Sequence, residues 1–566
     1  MFKEYLDKLS IASKEAIVDG NNNSFDEFKE YLHIDRYVQS KLENIVLSSL
    51  ASDKSKLILI SGNVGDGKSH MMSRLHKKFP EDMAKIRLRN DATESNRTDR
   101  SWIDELNEFF APFNDENLNL PKKKTVRIVA INLGVLSSFL DNTNNFSQLS
   151  AFVIQNGIID SISFNNDYLF DSPFQFINLA DYSLFTLAEN GSSSQLIFEL
   201  LSKITNKNEN NPFYQAFLSY YANHPNQNEC AMRQNYLELG KKEVQAGLID
   251  LIMYAVVSHK LIISVRDLLN FIYDIIVPYD LQNITGEKIK TLKSQTNLRP
   301  QDFIYNKLFE SNGRSDLLSS LTKLDPNKFR SKYLDSLIFR LSSAEHPLEI
   351  FDQHGLTSVN TWLAPRKNEV LIKTFIRALY LNKIECFELE LSSYQMFSRY
   401  LYFYHTNDKK ALRPLYKELI KAIYCWNGNS KKPEQINVSI GQHQLKYNIT
   451  QNIPLEPSIK ALSNATISDE IHEFGNVIDI GMKTGGSEVG FSLDVNLYSL
   501  LKNVIDGYSP NKLDRENHTD FQKAVEMITT LSSKGLSINF ERLDGANKKQ
   551  FQLVYNLEFG YEFSKL

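Results

Sequence analysis

The amino-acid sequence predicts an α/β domain with a mostly parallel sheet, followed by a mainly helical region and a strand-rich α+β region. From 56 to about 280, short apolar runs alternate with helical patterns, which is typical of parallel strands joined by helices. Helical patterns interrupted by prolines continue to about 430. Beyond this point apolar and polar residues alternate, most clearly in FQLVYNLEF at 551–559. The 566 residues exceed what one hydrophobic core accommodates, so we expect several domains.

These patterns divide the chain into four predicted segments. Residues 1–52 form a helical lead-in, because apolar residues recur there at near-helical spacing. Residues 53–280 form the α/β domain with lid-like helices, 281–434 a mainly helical domain, and 435–566 the strand-rich domain. In the α/β segment, four apolar runs predict the strands Leu57 to Ile60, Ala84 to Leu88, Val126 to Ile131 and Phe174 to Leu179.

Composition excludes several classes of protein. The formal charge is −4, from 64 basic and 68 acidic residues, so DNA contacts must come from local patches or from partners. The three cysteines form no CxxC pair, which argues against a disulfide framework and against a zinc site. No apolar stretch reaches membrane-spanning length and the first residues are charged. We expect a cytoplasmic protein that does not enter a membrane.

One motif indicates specific chemistry. GNVGDGKS at 62–69 fits the pattern G-x-x-x-x-G-K-[ST] at every specified position and follows an apolar run. In such a P-loop, backbone N–H groups at a helix start converge on phosphate oxygens, Lys68 reaches the β- and γ-phosphates, and the Ser69 hydroxyl holds Mg²⁺. The motif predicts a P-loop NTPase domain that binds ATP with Mg²⁺. The expected contacts to ATP come from Gly62, Asn63, Val64, Gly65, Asp66, Gly67, Lys68, Ser69 and His70.

Hydrolysis also needs a carboxylate, and the sequence marks it less clearly. The strand VRIVAINLG ends in Asn132, where an Asp is expected and where an amide cannot act as a base. Asp181 ends the next strand, and Asp91 and Glu94 follow an earlier one. Adjacent strands lie about 4.8 Å apart. In the strand order common among such ATPases, Asp181 is the nearest carboxylate and Asp91 the farthest. We expect Asp181 to serve the magnesium, while an ordinary polar residue at a strand end is the alternative for each.

Two arginines are candidates for charge stabilisation. Arg266 opens an amphipathic helix in KLIISVRDLLNFIYDII and resembles the sensor arginine in the lid of AAA+ ATPases, which touches the γ-phosphate. Arg233 is a candidate arginine finger toward a neighbouring subunit. Either residue would serve equally well in a surface ion pair. Asp19, Glu27 and Lys29 have a nuclease-like spacing, but they lie in the helical lead-in, so no nuclease site is expected.

An ordered set of segments resembles one protein family. The set extends over nearly the whole chain: SGNVGDGKSH at 61–70, NDATES at 90–95, AINLGVLSSFL at 130–140, ISVRDLLNFI at 263–272, IYCWNG at 423–428 and LEFGYEF at 557–563. These segments resemble the DptF (DndF) family, a subunit of bacterial DNA phosphorothioation-dependent restriction systems. The resemblance implies an ATPase subunit that works with DptG- and DptH-like partners on double-stranded DNA lacking the sulfur mark, in defence against phage and foreign DNA.

Two classes of function remain open at this point. In the first, ATP hydrolysis powers assembly or movement on DNA. In the second, ATP binding holds a scaffold in a partner-competent state, and turnover is incidental. Asn132 favours the scaffold, while Arg266 and the intact Lys68–Ser69 pair favour the ATPase.

Overall fold

The chain forms two compact units. The first comprises Met1–Phe185 and Ser194–Phe387, and the second comprises Thr186–Ser193 and Glu388–Leu566. The boundary after 387 is not among those expected from the sequence, which were at 52, 280 and 434. The computed structural model describes residues 2–11, 27–63, 65–93, 101–118, 124–159, 167–223, 230–282, 299–310, 315–328, 332–356, 368–382, 390–428, 434–438, 447–459, 468–532, 537–542, 550–556 and 558–565.

A parallel sheet lies at the centre of the first unit, as the sequence predicts. Its strands are β1 (Lys56–Ser61), β2 (Ile86–Arg89), β3 (Val126–Ala130) and β4 (Phe174–Asn178), in the order β2-β3-β1-β4. All three pairings are parallel. The carboxyl ends of the strands therefore meet at one edge, where β1 lies directly between β3 and β4.

Helices cover both faces of this sheet. The amino-terminal helices are α1 (Phe2–Asp7), α2 (Glu27–Leu32) and α3 (Tyr37–Ala51). Those interleaved with the strands are α4 (Lys68–Lys78), α5 (Pro80–Met83), α6 (Trp102–Phe110), α7 (Leu133–Asp141) and α8 (Ser147–Gln155). Ile58 and Ile60 of β1 pack into a core with α3 and α4, whereas Leu57 and Leu59 pack into a core with α6, α7 and α8. A strand buried on both faces has to be apolar throughout, and this continuous apolar run is why β1 is predicted from its sequence.

The rest of the first unit is helical. After β4 come α9 (Gln195–Thr205), α10 (Pro212–Asn223), α11 (Ala231–Leu239), α12 (Lys242–Ser258), α13 (Val265–Ile276) and α14 (Tyr279–Gln282). These are followed by α15 (Ile304–Lys307), α16 (Asp316–Lys323), α17 (Lys332–Ser343), α18 (Pro347–Gln353) and α19 (Asn368–Asn382). A capping box starts α13: the Ser264 hydroxyl accepts from the Asp267 N–H, and the Asp267 carboxylate accepts from the Ser264 N–H.

The second unit combines helices with antiparallel sheets. Its helices are α20 (Glu390–His405), α21 (Arg413–Cys425), α22 (Val495–Ile505), α23 (Lys512–Asn517) and α24 (Thr519–Ser532). Its strands are β5 (Thr186–Ala188), β6 (Gly191–Ser193), β7 (Gln435–Asn437), β8 (Tyr447–Asn452), β9 (Glu456–Pro457), β10 (Ile478–Thr484), β11 (Ser487–Leu493), β12 (Ile538–Arg542), β13 (Gln550–Asn556) and β14 (Gly560–Lys565). They form a β5-β6 hairpin and the sheets β11-β10-β9 and β14-β13-β12-β8-β7. Within the described residues, none of the helices has the length and apolar character needed to cross a membrane.

Candidate nucleotide site

A glycine-rich loop, residues 62–67, joins β1 to α4. Three of its glycines have positive φ angles: 148° at Gly62, 95° at Gly65 and 95° at Gly67, which is the N-cap of α4. Residues with a side chain rarely adopt such positive φ angles, so the three glycines of the motif suit the backbone of this turn. Val64, one of the expected contacts to ATP, lies outside the described residues.

The Lys68 side chain lies over this loop. Its ammonium donates to the carbonyl oxygens of Gly62, at 2.7 Å, and Asn63, at 2.8 Å. Burial lowers the pKa of Lys68, and the charges of Asp66 and Asp91 oppose this effect. An ammonium group has three N–H donors. Two hydrogen bonds to loop carbonyl oxygens therefore fix the Lys68 ammonium over the loop.

Asp66 ties the loop together from inside. Its buried carboxylate accepts a hydrogen bond of 2.6 Å from the Asn63 N–H, and burial raises its pKa. The Arg36 guanidinium, at the N-cap of α3, donates to the Asp66 carbonyl oxygen at 3.2 Å. Asp66 is one of the expected contacts to ATP, and its carboxylate accepts a hydrogen bond from within the loop. Arg36 was not identified from the sequence, since no fixed spacing connects it to the motif.

Ser69 and His70 lie in the first turn of α4. His70 Nε2 lies 2.9 Å from Nδ1 of His33, and the two rings stack with centroids 5.1 Å apart. The His33 Nε2 in turn lies 3.0 Å from a carboxylate oxygen of Asp35. Burial lowers the pKa of His70 to about 4 and also lowers the pKa of His33. The pair is therefore neutral near pH 7, and neither ring adds charge to the site.

The start of α13 packs against the same loop. A Cβ atom added to Gly65 would lie 2.5 Å from the Oγ of Ser264 and 3.5 Å from the Cβ of Arg266. Arg266 occupies the first turn of α13, as predicted. Two helix amino termini, those of α4 and α13, thus lie beside the glycine-rich loop. Each carries a partial positive charge that favours anions.

The loop opens into a cavity of about 420 Å³ within the first unit. Its polar lining includes Lys68, Ser69, Asn132 and Arg266. Basic side chains outnumber acidic ones by five to two among the described lining residues: Lys8, Lys29, Arg36, Lys68 and Arg266 against Asp66 and Asp91. Apolar side chains from α2, α9 and α13 complete the wall: Phe28, Leu32, Leu196, Leu200, Val265 and Leu269. The cavity therefore combines a cationic part with an apolar part.

No family model, curated protein or solved structure matches the chain.

Of the carboxylates considered from the sequence for the magnesium, Asp91 lines the cavity, whereas Asp181 is not among the described lining residues. Asp91 lines the cavity and its charge acts on Lys68. Asp181 ends a short 3-10 turn after β4, accepts a hydrogen bond of 2.7 Å from the Asn178 amide, and is not among the described lining residues. Although β2 is two strands from β1, the chain beyond it turns over the end of β3, where the Ala92 N–H donates to the Ala130 carbonyl oxygen.

Asn132, at the end of β3, is the N-cap of α7. Its side-chain oxygen accepts a hydrogen bond of 2.7 Å from the Val135 N–H, and the residue lines the cavity. Asparagine is among the preferred N-cap residues, so this position has a structural use that explains its polarity. Aspartate is equally suited to that use.

Of the remaining candidates, Lys29 is the one among the described lining residues of the cavity. The Arg233 guanidinium lies over the Tyr221 ring, 5.8 Å from its centroid, and Arg233 is not among the described lining residues. Of the nuclease-like set, Lys29 lines the cavity, Glu27 begins α2, and Asp19 lies outside the described residues. Among the described residues, no group of three or more His, Cys, Asp or Glu side chains is placed to hold a metal ion.

Proposed function

We propose that the cavity beside Lys68 binds ATP with Mg²⁺ and that the chain hydrolyses it. The observation that supports this proposal is the convergence of Lys68, Arg36 and Arg266 with the amino termini of α4 and α13 on one cavity. Fixed positive charges and helix amino termini suit a polyphosphate. The cavity volume of about 420 Å³ lies within the range of small-molecule sites, and its apolar wall suits a purine ring.

In the proposed complex with ATP and Mg²⁺, different residues bind the phosphates and the metal. Lys68 binds the β- and γ-phosphates, and Arg266 neutralises charge on the γ-phosphate. Magnesium, a hard cation that prefers oxygen ligands, would be held by the Ser69 hydroxyl and the Asp91 carboxylate, both of which line the cavity. The metal would neutralise charge that develops on the phosphates. We assign the carboxylate role to Asp91 in place of Asp181, since Asp91 is among the described lining residues of the cavity and Asp181 is not.

A nucleotide-gated scaffold with little turnover is the second candidate. One observation favours it: Asn132 replaces a carboxylate at the end of β3 and uses its oxygen to cap α7. ATP turnover by the purified chain, measured with and without magnesium, separates the two candidates. Turnover that depends on magnesium supports the ATPase, whereas tight ATP binding without turnover supports the scaffold.

At the level of the cell, we propose that the chain is the ATPase subunit of a phosphorothioation-dependent restriction complex. The support is the ordered set of segments that resembles the DptF (DndF) family. The chain would act with DptG- and DptH-like partners on double-stranded DNA lacking the sulfur mark. With a formal charge of −4, the isolated subunit should bind duplex weakly.

The restriction role is tested by adding the partners and unmodified duplex to the ATPase assay. Turnover should rise with unmodified duplex and stay low with phosphorothioated duplex. Tight, salt-resistant duplex binding by the isolated subunit would contradict the division of labour proposed here. Equal turnover with both DNA forms would argue against recognition of the mark by this complex.

A further inference from the structure

The sheet β14-β13-β12-β8-β7 of the second unit has one apolar, largely aromatic face. Directly paired residues of antiparallel strands share a face, and alternate residues along a strand share it too. The strand pairings place together Phe540 with Phe551, Leu553 with Phe563, and Tyr555 with Tyr561. The aromatic face is defined by Tyr447, Ile449, Gln451, Ile538, Phe540, Arg542, Phe551, Leu553, Tyr555, Tyr561, Phe563 and Lys565.

The outer part of the aromatic face is open to solvent. Exposed fractions reach 76% for Tyr561, 62% for Phe563 and 47% for Tyr555. Phe559, in the turn that leads into β14, is 74% exposed. Rings of this size are normally buried in a monomeric domain, and a group of them on one surface marks a binding site. The inner part is covered, since Ile449 of β8 is only 7% exposed.

The exposed rings are held in fixed pairs. The Phe551 and Phe563 rings stack with centroids 5.3 Å apart and an interplanar angle of 14°, and Phe540 lies 6.0 Å from Phe563. Tyr555 and Tyr561 meet edge to face at 5.0 Å. Their neighbours therefore restrict these rings, and flat ring surfaces are presented on strands instead of on loose loops.

Charge separates the two faces of the sheet. Arg542 and Lys565 lie on the aromatic face, and none of its twelve residues is acidic. Glu541 and Glu562 occupy the neighbouring positions on β12 and β14 and so lie on the opposite face. An apolar protein partner would not require this separation of charge. A negatively charged ligand with flat rings would benefit from both the exposed aromatic rings and the basic residues beside them.

We propose that the aromatic face binds single-stranded nucleic acid, with unpaired bases stacked on Tyr561 and Phe563 and the backbone phosphates near Arg542 and Lys565. Base stacking on aromatic side chains beside basic residues is a sequence-tolerant mode of single-strand recognition. A duplex keeps its bases stacked on each other and cannot offer them to the rings. The proposal is independent of the nucleotide site, which lies in the first unit.

The test is fluorescence anisotropy with the full chain, a labelled oligothymidylate of about 16 nucleotides and a duplex of the same length at physiological salt. The single strand should bind at least about 10-fold more tightly than the duplex. Tyr561→Ala with Phe563→Ala should weaken single-strand binding by at least about 10-fold, because each stacked base contributes about 1–3 kcal/mol. Phe170→Ala with Phe339→Ala is the matched control, since these two rings are 74% and 72% exposed elsewhere.

A second variant keeps the stacking surface and reports contact directly. Phe563→Trp should retain the affinity, and its tryptophan fluorescence should be quenched when oligothymidylate is added. Lys565→Gln should lower the salt dependence of binding by about one phosphate contact.

Three results would overturn the proposal. These are equal affinity for single strand and duplex, unchanged affinity in the double alanine variant, and concentration-dependent self-association that this variant abolishes without any oligonucleotide binding. The last result would identify the face as a contact between copies of the chain. Thermal unfolding of each variant checks that the fold is retained.

Discussion

Gly65 and Ser264, almost two hundred residues apart in sequence, lie in direct contact: a Cβ atom on Gly65 would stand 2.5 Å from the Oγ of Ser264. The contact joins the glycine-rich loop to the start of α13, the helix that carries Arg266. Glycine at 65 is thus required for two reasons, its φ of 95° and the proximity of α13. The first reason is visible in the sequence motif, and the second is not.

Gly65→Ala and Gly67→Ala separate these two reasons. Both glycines have a φ of 95°, but a Cβ on Gly67 would meet no atom within 4 Å. Each substitution should cost about 1–2 kcal/mol of stability for the left-handed backbone. Gly65→Ala should cost about 1–3 kcal/mol more, because Ser264 must move. Chemical denaturation measures the free energy of unfolding of both variants. Equal losses of stability would show that α13 moves away from residue 65 at no cost in free energy.

Lys68→Ala should lower ATP affinity by about 100-fold or more, because charge-assisted hydrogen bonds to the phosphates are lost. The fold should be retained, since within the described residues the hydrogen bonds of the ammonium go to carbonyl oxygens of the loop. Isothermal titration calorimetry gives the affinity, and restriction should be lost in cells. Lys78→Ala, at the other end of α4, is the control and should bind ATP as the parent does. Parental affinity in the Lys68 variant would refute the proposed site.

Asp91→Asn should lower ATP turnover by about 100-fold with little effect on ATP binding, because the carboxylate proposed to hold magnesium would become a neutral amide. Asp181→Asn should have little effect, since its carboxylate accepts from Asn178 and lies outside the cavity lining. Steady-state turnover of the two variants compares the carboxylates directly. The reverse ranking would return the role to Asp181, as the sequence argument had it.

Asn132→Asp should increase ATP turnover if the missing carboxylate at the end of β3 limits hydrolysis. The substitution is compatible with the fold, because aspartate caps a helix as well as asparagine does and the cap of α7 is retained. Asn132→Ser keeps a capping oxygen without adding a charge and serves as the control. Unchanged turnover in the Asp variant would mean that Asn132 acts only as the cap.

The free energy of unfolding should fall as the pH falls from about 6.5 to about 4. In the folded chain burial lowers the pKa of His70 to about 4, with smaller contributions from the nearby charges of His33, Lys29, Arg74 and Arg36. The unfolded chain therefore binds a proton first as the pH falls. The stability present above pH 6.5 is lost by pH 4, which amounts to up to about 3 kcal/mol.

Chemical denaturation over this pH range measures the loss. His70→Gln retains an N–H for His33 and cannot titrate, so its stability should depend less on pH. His76→Gln, on the same helix, should behave as the parent does. Identical pH profiles for the parent and the His70 variant would show that other groups account for the dependence.

The sheet of the first unit was predictable because its signals are local. Each strand is a short apolar run, and burial on both faces requires that run to be continuous. The observed strands begin and end within two residues of those predicted, and the loop glycines follow from the motif. The parallel arrangement followed from the alternation of strands and helices along the chain.

Contacts between distant segments were not predictable in the same way. The Arg36 side chain, at the start of α3, donates to the Asp66 carbonyl oxygen. His33, in the segment before α3, lies beside His70. Asp91 lines the cavity, and the chain beyond β2 bends over the end of β3, which a count of strands does not show. No periodicity or spacing in one sequence encodes such tertiary contacts, because they depend on how the helices pack against the sheet.

Through the contact between Gly65 and Ser264, α13 also connects the glycine-rich loop to the amino-terminal segment. Its middle is attached to the amino-terminal segment, where Tyr273 donates to the Asp7 carboxylate at 3.2 Å and the Ile11 N–H donates to the Asn270 side chain at 2.9 Å. At 1.5 Å per residue, these attachments lie about 8–12 Å along the helix from Val265. A displacement of the loop that pushed the start of α13 would therefore also move the residues bonded to Asn270 and Tyr273. Slower amide exchange at Ile11 when ATP is added would report this coupling, in a segment that itself reaches the cavity through Lys8.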